Sequence, residues 1–457
     1  MVIDLLIKNG ILYTDGEWAK ADLLADGGKI IGIRRSAQDV ADEVIEAAGK
    51  YVVPGLIDAH IHLRDPGYTH KEDYATGTMA AAAGGVTTVF DQPNTNPVPN
   101  TVERFQAHIA NAEAKAYIDF NSMASPSKPD QVQGLSALGT VGFKIFQKKT
   151  TYPYDTEASI PESDRILEAF AKVAETGKPC AVHPHSKEMY EWLIGQAKAQ
   201  DSLDVQKFCE ITAHEYVYCA AVPQLLYFQE KTGITYYALH CHYRSYIEMV
   251  RRAKQRSAKV IADCVFSRLV PPDLGPFDIL RNHHTVGRTQ DDQDAMWEGV
   301  LDGTIDFIDT DHAPHAVEEI KRGLQEPQRM AMGYPGVEHF LSVLLTEVNK
   351  GKIPLERLIE LLSVNPARIF GLYPQKGSLQ VGTDADITII DLEQEATISG
   401  KHLYTKCGWT PYDGRRVKGV PTHTIVRGKV VAAFGKVVGE KGYGKFVPAK
   451  TGLLRIR

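Results

Sequence analysis

The sequence predicts an α/β protein, a (β/α)8 barrel of the TIM type with a small β-sandwich built from both chain termini. Three observations carry this. Between about residues 54 and 374, apolar strand-like runs alternate with longer helical stretches. Short strand-like segments divided by turn residues occupy both ends of the chain. Polar residues of metal-binding type recur where the middle strands end.

Taken in order, "IDLLIKNGILYT", "KADLLADGGKIIGI" and "KYVVPG" open the chain, and their Asn-Gly and Gly-Gly steps read as hairpin turns. The middle begins after residue 53. "VTTVFD" follows the helical "YATGTMAAAAG", and "VGFKIF" comes next. "PCAVHPH" precedes "SKEMYEWLIGQAKA", "TYYALHCH" precedes "YRSYIEMVRRAKQ", and "KVIADCVF" and "IDFIDTDHAPH" close the series. Such alternation is the signature of a parallel sheet, and the length fits eight repeats closed into a barrel. From residue 375 the hairpin texture returns in "ADITIIDL", "HTIVRGKVVAAFG" and "KVVGE". The expected division is 1–53 and 375–457 for the sandwich and 54–374 for the barrel.

Charge and composition exclude several classes. The 457 residues carry a net charge of −6 with both signs interspersed, unlike the basic footprint of a nucleic-acid binder. The cysteines at 180, 209, 219, 241, 264 and 407 form no Cys-x-x-Cys pair, which suits reduced thiols rather than a disulfide framework. No apolar run approaches the ~20 residues that span a bilayer, and "MVIDLLIKNG" lacks a secretory pattern. A soluble cytoplasmic protein is expected, with neither nucleic acid nor membrane as partner.

"VVPGLIDAHIHLRDPG", residues 52 to 67, places His60 and His62 on one face of a strand, because side chains alternate with a period of two. Alone, the pair either binds metal or merely flanks a buried strand. Further strand ends carry Lys144 in "GFKIF", His183 in "AVHPH", His240 in "ALHCH" and Asp311 in "DTDHAPH". A polar side chain in an apolar strand is costly without a partner. Six of them at the ends of five strands point to one site at the barrel mouth, with ligands that suit zinc and also manganese, iron or nickel. Lys144 must lose its charge or bear the desolvation cost. Reaction with carbon dioxide would make it a carbamate, N6-carboxylysine, able to bridge two cations among four imidazoles.

"DAHIHLRDPG", "GGVTTVFDQPNTNP", "GFKIF", "AVHPHSKE", "DGTIDFIDTDHAPH" and "GSLQVGTDADITIIDL" resemble the amidohydrolase superfamily, in its cyclic amidohydrolase branch of dihydroorotases, hydantoinases or dihydropyrimidinases, and allantoinases. The resemblance runs through nearly the whole chain. It implies a binuclear centre of two divalent ions, zinc the first choice. His60, His62 and Asp311 would bind one ion, His183 and His240 the other, with carboxylated Lys144 between them. The implied reaction is hydrolytic opening of a cyclic amide C–N bond by a metal-bridged hydroxide, with Asp311 moving the proton to the leaving nitrogen. Lys144 argues against a mononuclear deaminase on the same barrel. The filled ligand set argues against a non-catalytic scaffold. Relatives of this kind imply a homo-oligomer, dimer or tetramer.

For the substrate, Arg64, Asn94 and His315 match dihydroorotase positions that hold a carboxylate. Gly333, Pro335 and Gly336 in "MGYPGVE" match a loop that meets substrate through its backbone. A dihydroorotate-like ring is therefore the first expectation, and a neutral hydantoin, dihydropyrimidine or allantoin the alternative. Two departures favour the alternative: "DCVFSRLV" stands where dihydroorotases carry Pro-His-His, and "RNHHTVGR" where they carry Asn-Pro-Pro-Leu-Arg. "FQKKTTYPYD" lies where hydantoinases have a substrate-screening loop, and Lys148 and Lys149 would add positive field there. The sequence assigns no role to His242, His283, His284 or His312.

Overall fold

A computed structural model describes residues 2–148, 157–272 and 289–450. Lys149, His283 and His284 lie outside the described residues.

Five strands open the chain: β1 (Val2–Thr14), β2 (Glu17–Asp26), β3 (Lys29–Arg34), β4 (Val40–Glu46) and β5 (Tyr51–Pro54). The middle contributes β6 (Leu56–Ile61), β7 (Val86–Asp91), β8 (Asp119–Ser122), β9 (Phe143–Phe146), β10 (Pro179–His183), β11 (Thr235–Ala238), β12 (Val260–Val265) and β13 (Phe307–Asp309). These strands pair in parallel as two arcs, β6-β7-β8 and β9 through β13. Two seams join the arcs: Lys144 N donates to Ala124 O at 2.9 Å, and His62 N donates to His312 O at 2.8 Å. The barrel is closed. All eight strands are buried from end to end, as a parallel sheet covered by helices requires. Helices follow the strands, the first being Tyr74–Ala83, capped by Asp73, whose carboxylate accepts from Thr76 N.

The strand β8 escapes a hydrophobic reading because, of its four residues, only Phe120 is apolar. Its polar groups are satisfied instead by the returning chain end. Asn121 Nδ2 donates to Val447 O and Gly139 O, and Phe120 N donates to Lys445 O.

Both chain ends build one nine-stranded, mostly antiparallel sheet that adds β14 (Ile387–Thr397), β15 (Arg416–Val426), β16 (Lys429–Ala433) and β17 (Lys436–Val437). The long β1 pairs with β4 through its first half and with β5 through its second. The sheet thereby curls over a core of its own that includes Leu5, Ile7, Leu23, Ile30, Val52, Ile387, Ile389 and Ile425. One expected turn is corrected. Asn9-Gly10 lies inside β1 as a bulge, not in a hairpin, and the chain reverses at Asp15-Gly16. Asp22 accepts the Asn9 N–H and stabilises its left-handed backbone, while a Cβ on Gly10 would lie 2.6 Å from Val52. Gly27-Gly28 does turn the chain between β2 and β3.

A buried ion cluster couples sheet and barrel. Lys376 Nζ lies 2.5 Å from Asp119 and Asp386 and 3.0 Å from Asp384. The ammonium occupies the centre that the three carboxylates would otherwise offer to a metal. Its removal leaves buried carboxylates uncompensated. Lys376→Met is expected to lower unfolding free energy by about 3–5 kcal/mol in chemical denaturation. Among the described residues, no helix is long and apolar enough to cross a membrane.

Candidate active site

Strand geometry assembles the predicted residues. His60 lies on β6 and His62 immediately after it, so both imidazoles face the barrel mouth. Lys144 lies on β9 and His183 ends β10. His240 and Asp311 come two residues after β11 and β13, not on the strands themselves. Arg64 is likewise beyond its strand, which ends at Ile61. Arg64, His240 and Asp311 have φ of 61°, 57° and 44°, a left-handed backbone that costs non-glycine residues energy and recurs at functional sites.

Asp311 is the hub. Its Oδ1 lies 3.2 Å from His62 Nε2 and 3.5 Å from His60 Nε2, and its Oδ2 lies 4.0 Å from His240 Nδ1. The His60 and His240 rings stack at 4.9 Å, and His183 meets His240 edge-on at 5.3 Å. His60, His62 and Asp311 can each direct one ligand atom into a single sphere, all within 4.8 Å of one another. Both His60 nitrogens, His240 Nδ1 and Lys144 Nζ are buried with no hydrogen-bond partner. Orphaned donors of this kind fit divalent cations, since coordination would satisfy atoms that folding has left without water.

Burial sets the charge states. It keeps the imidazoles of His60, His183 and His240 neutral, as metal ligation needs, and it pushes His62 down to about 3. Burial also pushes the Lys144 ammonium down to about 8, against Asp311, Asp263 and Asp309. For Asp311, burial opposes ionisation, yet His60, His240 and the His62 hydrogen bond hold its carboxyl well below the usual carboxylate range.

Several partners lay outside the sequence reading. Asn94, expected to meet substrate, has its Oδ1 2.7 Å from His62 Nδ1 and so orients that ring. Below the histidines, Asp263 and Asp309 each lie 3.8 Å from His60 Nδ1, and Tyr237 donates to Asp263 at 2.7 Å. Burial, reinforced by Asp263, pushes the Asp309 carboxyl far up. Asp58 shares the face of His60 and His62, and the period-two run Asp-x-His-x-His was the signal for it. Glu72, fully buried, reaches His312 Nε2 at 3.3 Å. Tyr218 Oη lies 3.4 Å from His183 Nε2.

At the mouth, Arg64 Nη2 is 3.4 Å from His315 Nε2, and Lys71 Nζ is 3.3 Å from His315 Nδ1. Glu319 completes the group, 3.1 Å from Lys71. Nothing in "YTHKEDY" marked Lys71 beforehand. Burial pushes His315 down to about 3, with Lys71 and Arg64 adding to the effect. In the 332–338 loop, Gly333 has φ of 141°, and a Cβ there would lie 2.6 Å from Ala313. The Gly336 N–H donates to His312 Nδ1 at 3.1 Å, and Pro335 lies buried between the two glycines. Lys148 is buried, which pushes it down to about 7, and His242 packs against Tyr218 and Tyr243.

Comparison with known families gives a match to the amidohydrolase family over residues 51–431. The chain belongs to the amidohydrolase family. Along its length this amidohydrolase is 30% identical to an L-hydantoinase of Paenarthrobacter aurescens, with 98% of each chain covered. It is 32% identical to a dihydroorotase of Lactobacillus leichmannii over 93% of this chain and 98% of that one. Among solved structures, an L-hydantoinase (dihydropyrimidinase) from Arthrobacter aurescens superposes with a TM-score of 0.88 at 29% identity. That match covers 98% of this chain and 100% of the other. The likeness supports the barrel and the appended sheet of the amidohydrolase as one fold.

Proposed function

We propose that this amidohydrolase opens the C–N bond of a cyclic ureide or imide bearing an acidic substituent, with dihydroorotate-like compounds the first choice. The observation that carries the reading is the cluster of His60, His62, His240 and Asp311, with His183 against His240, beside the buried Lys144, whose charge bears on His60 and His183 and whose Nζ has no hydrogen-bond partner. In this reading His60, His62 and Asp311 would hold one divalent cation and His183 and His240 a second, with Lys144, carboxylated to N6-carboxylysine, supplying a further anionic ligand. Zinc is the first choice of metal. When bound, the cations supply an activated water and polarise the amide carbonyl.

The chain's own groups do the rest. Asp311 is placed to accept a proton from the attacking water and return it to the ring nitrogen, which leaves only once protonated. Asn94 holds the orientation of the His62 ring through its contact with Nδ1. Arg64, with Lys71 and His315 behind it, presents a guanidinium to a carboxylate on the ring. The closed barrel and the 332–338 loop, whose glycines allow close backbone approach, wall the site.

Arg64→Ala is expected to cost about 2–4 kcal/mol in kcat/KM for the acidic substrate, and far less for its neutral analogue. Steady-state kinetics on dihydroorotate and dihydrouracil would check it. A second reading, a neutral hydantoin, dihydropyrimidine or allantoin as substrate, is favoured by the likeness to the L-hydantoinase over 98% of both chains. A hydrolysis screen across dihydroorotate, hydantoins, dihydrouracil, allantoin and cyclic imides separates the two. Run with zinc, with manganese and after chelation, it should show activity lost on chelation and restored by metal. Metal analysis should find close to two ions per chain, and a value near zero with full activity would overturn the binuclear reading. In size-exclusion chromatography with light scattering, a dimer or tetramer is expected.

A further inference from the structure

Several buried cations among the described residues are paired with carboxylates. Lys376 is held by carboxylates, Lys71 lies against Glu319, and Arg427 contacts Asp119 and the Tyr443 carbonyl. Arg268 follows β12 and is only 7% exposed, yet it makes no ion pair among the described residues. Its Nε is buried without a hydrogen-bond partner. Nη1 lies against Nδ1 of His242, and that same nitrogen contacts the His240 carbonyl. One ring nitrogen cannot both donate to the carbonyl and accept from the guanidinium. In either tautomer the contact supplies no counter-charge to the guanidinium. A guanidinium stays charged inside a protein, and its desolvation costs several kcal/mol unless an anion compensates.

The position of Arg268 shows where such an anion would lie. Its charge bears on His240, which burial already keeps neutral. His242, which it touches, packs on Tyr218 at 4.9 Å, and Tyr218 reaches His183. Arg268 thus serves the His183/His240 half of the site, whereas Arg64 bears on the His62 half. Lys148 adds a second buried cation near His183. The residue also falls in "DCVFSRLV", the stretch where this chain departs from the dihydroorotase pattern.

Resting on the function proposed above, we infer that Arg268 is a second anion-binding, specificity-determining residue, and that the preferred substrate carries a carboxylate on a side chain reaching the His183/His240 half. Carboxyalkyl-substituted hydantoins have this chemistry. Guanidinium and carboxylate would form a charge-assisted pair, which the neutral ring does not provide.

The test compares 5-(2-carboxyethyl)hydantoin with unsubstituted hydantoin on the metal-loaded enzyme, for wild type, Arg268→Gln and Arg268→Lys. The expected result is a ratio of kcat/KM, acid over neutral, that falls by at least about 30-fold in Arg268→Gln. The loss should sit mainly in KM, and the lysine should recover part of it. Calorimetric titration with N-carbamoylglutamate, the ring-opened acid, should show the same loss of affinity. A ratio unchanged in Arg268→Gln, or both substrates falling in proportion, would assign Arg268 to bracing His242 and overturn the inference. If Arg268→Gln fails to fold, an acid-over-neutral ratio in Arg268→Lys equal to wild type, with product affinity unchanged as ionic strength rises, would overturn it too. Hydrolysis of no cyclic amide by loaded wild type would remove the proposed function and this inference with it. Hydrolysis with an indifferent Arg268 removes the inference alone.

Discussion

Lys144→Ala is expected to lower kcat by roughly three orders of magnitude, the equivalent of about 4 kcal/mol of lost charge stabilisation. The reason is structural. Lys144 Nζ is buried on β9 without a hydrogen-bond partner and has the ring of Phe146 4.8 Å from it. Burial already brings its pKa to about 8, so at mildly alkaline pH much of it is the neutral amine that can react with carbon dioxide. Alanine removes the amine that, once carboxylated, would supply the anion proposed for the centre. Bound metal should fall together with activity, and short carboxylic acids should restore part of both. Elemental analysis and turnover measured on the same preparation check this. Full metal content and full rate in the variant would remove Lys144 from the centre.

For Asp311→Asn the expected pattern is different: much of the metal retained, and kcat lowered by about 10²- to 10⁴-fold. An amide oxygen can still face His60 and His62, but an amide cannot carry the proton from water to the leaving nitrogen. The pH dependence sharpens this. With its carboxyl held well below the usual range, Asp311 stays ionised at neutral and mildly acidic pH, so it is available as a base throughout. The acid limb of kcat/KM that belongs to Asp311 should therefore lie below the ordinary carboxylate range in wild type and be absent in the variant. Near wild-type turnover in Asp311→Asn would show that the proton travels by another group.

How much of this was legible in the chain depended on distance along it. His60 and His62 could be paired from sequence because a strand's period of two puts them on one face. The barrel was legible because fully buried parallel strands read as unbroken apolar runs, such as Val86–Asp91 and Val260–Val265. β8 was not, since its polar residues are satisfied by the segment around Val447, a partner that no local pattern announces. Asn9-Gly10 misled for a related reason. Its left-handed backbone is a turn signal locally, but Asp22 and the neighbouring strands hold it inside β1.

The sequence by itself determined the fold class through residue type and short-range periodicity, and the family through the resemblance its motifs carry, and it named the six residues proposed as the site. Tertiary structure alone decided the partners. It decided that Asn94 orients His62, that Lys71 stands behind His315 with Arg64, and that Lys376 occupies the centre of three carboxylates. It also left Arg268 buried without a counter-charge among the described residues. Hydrogen bonds and ion pairs act over a few ångströms in space, so which ones form depends on how the closed barrel and its appended sheet bring distant segments together.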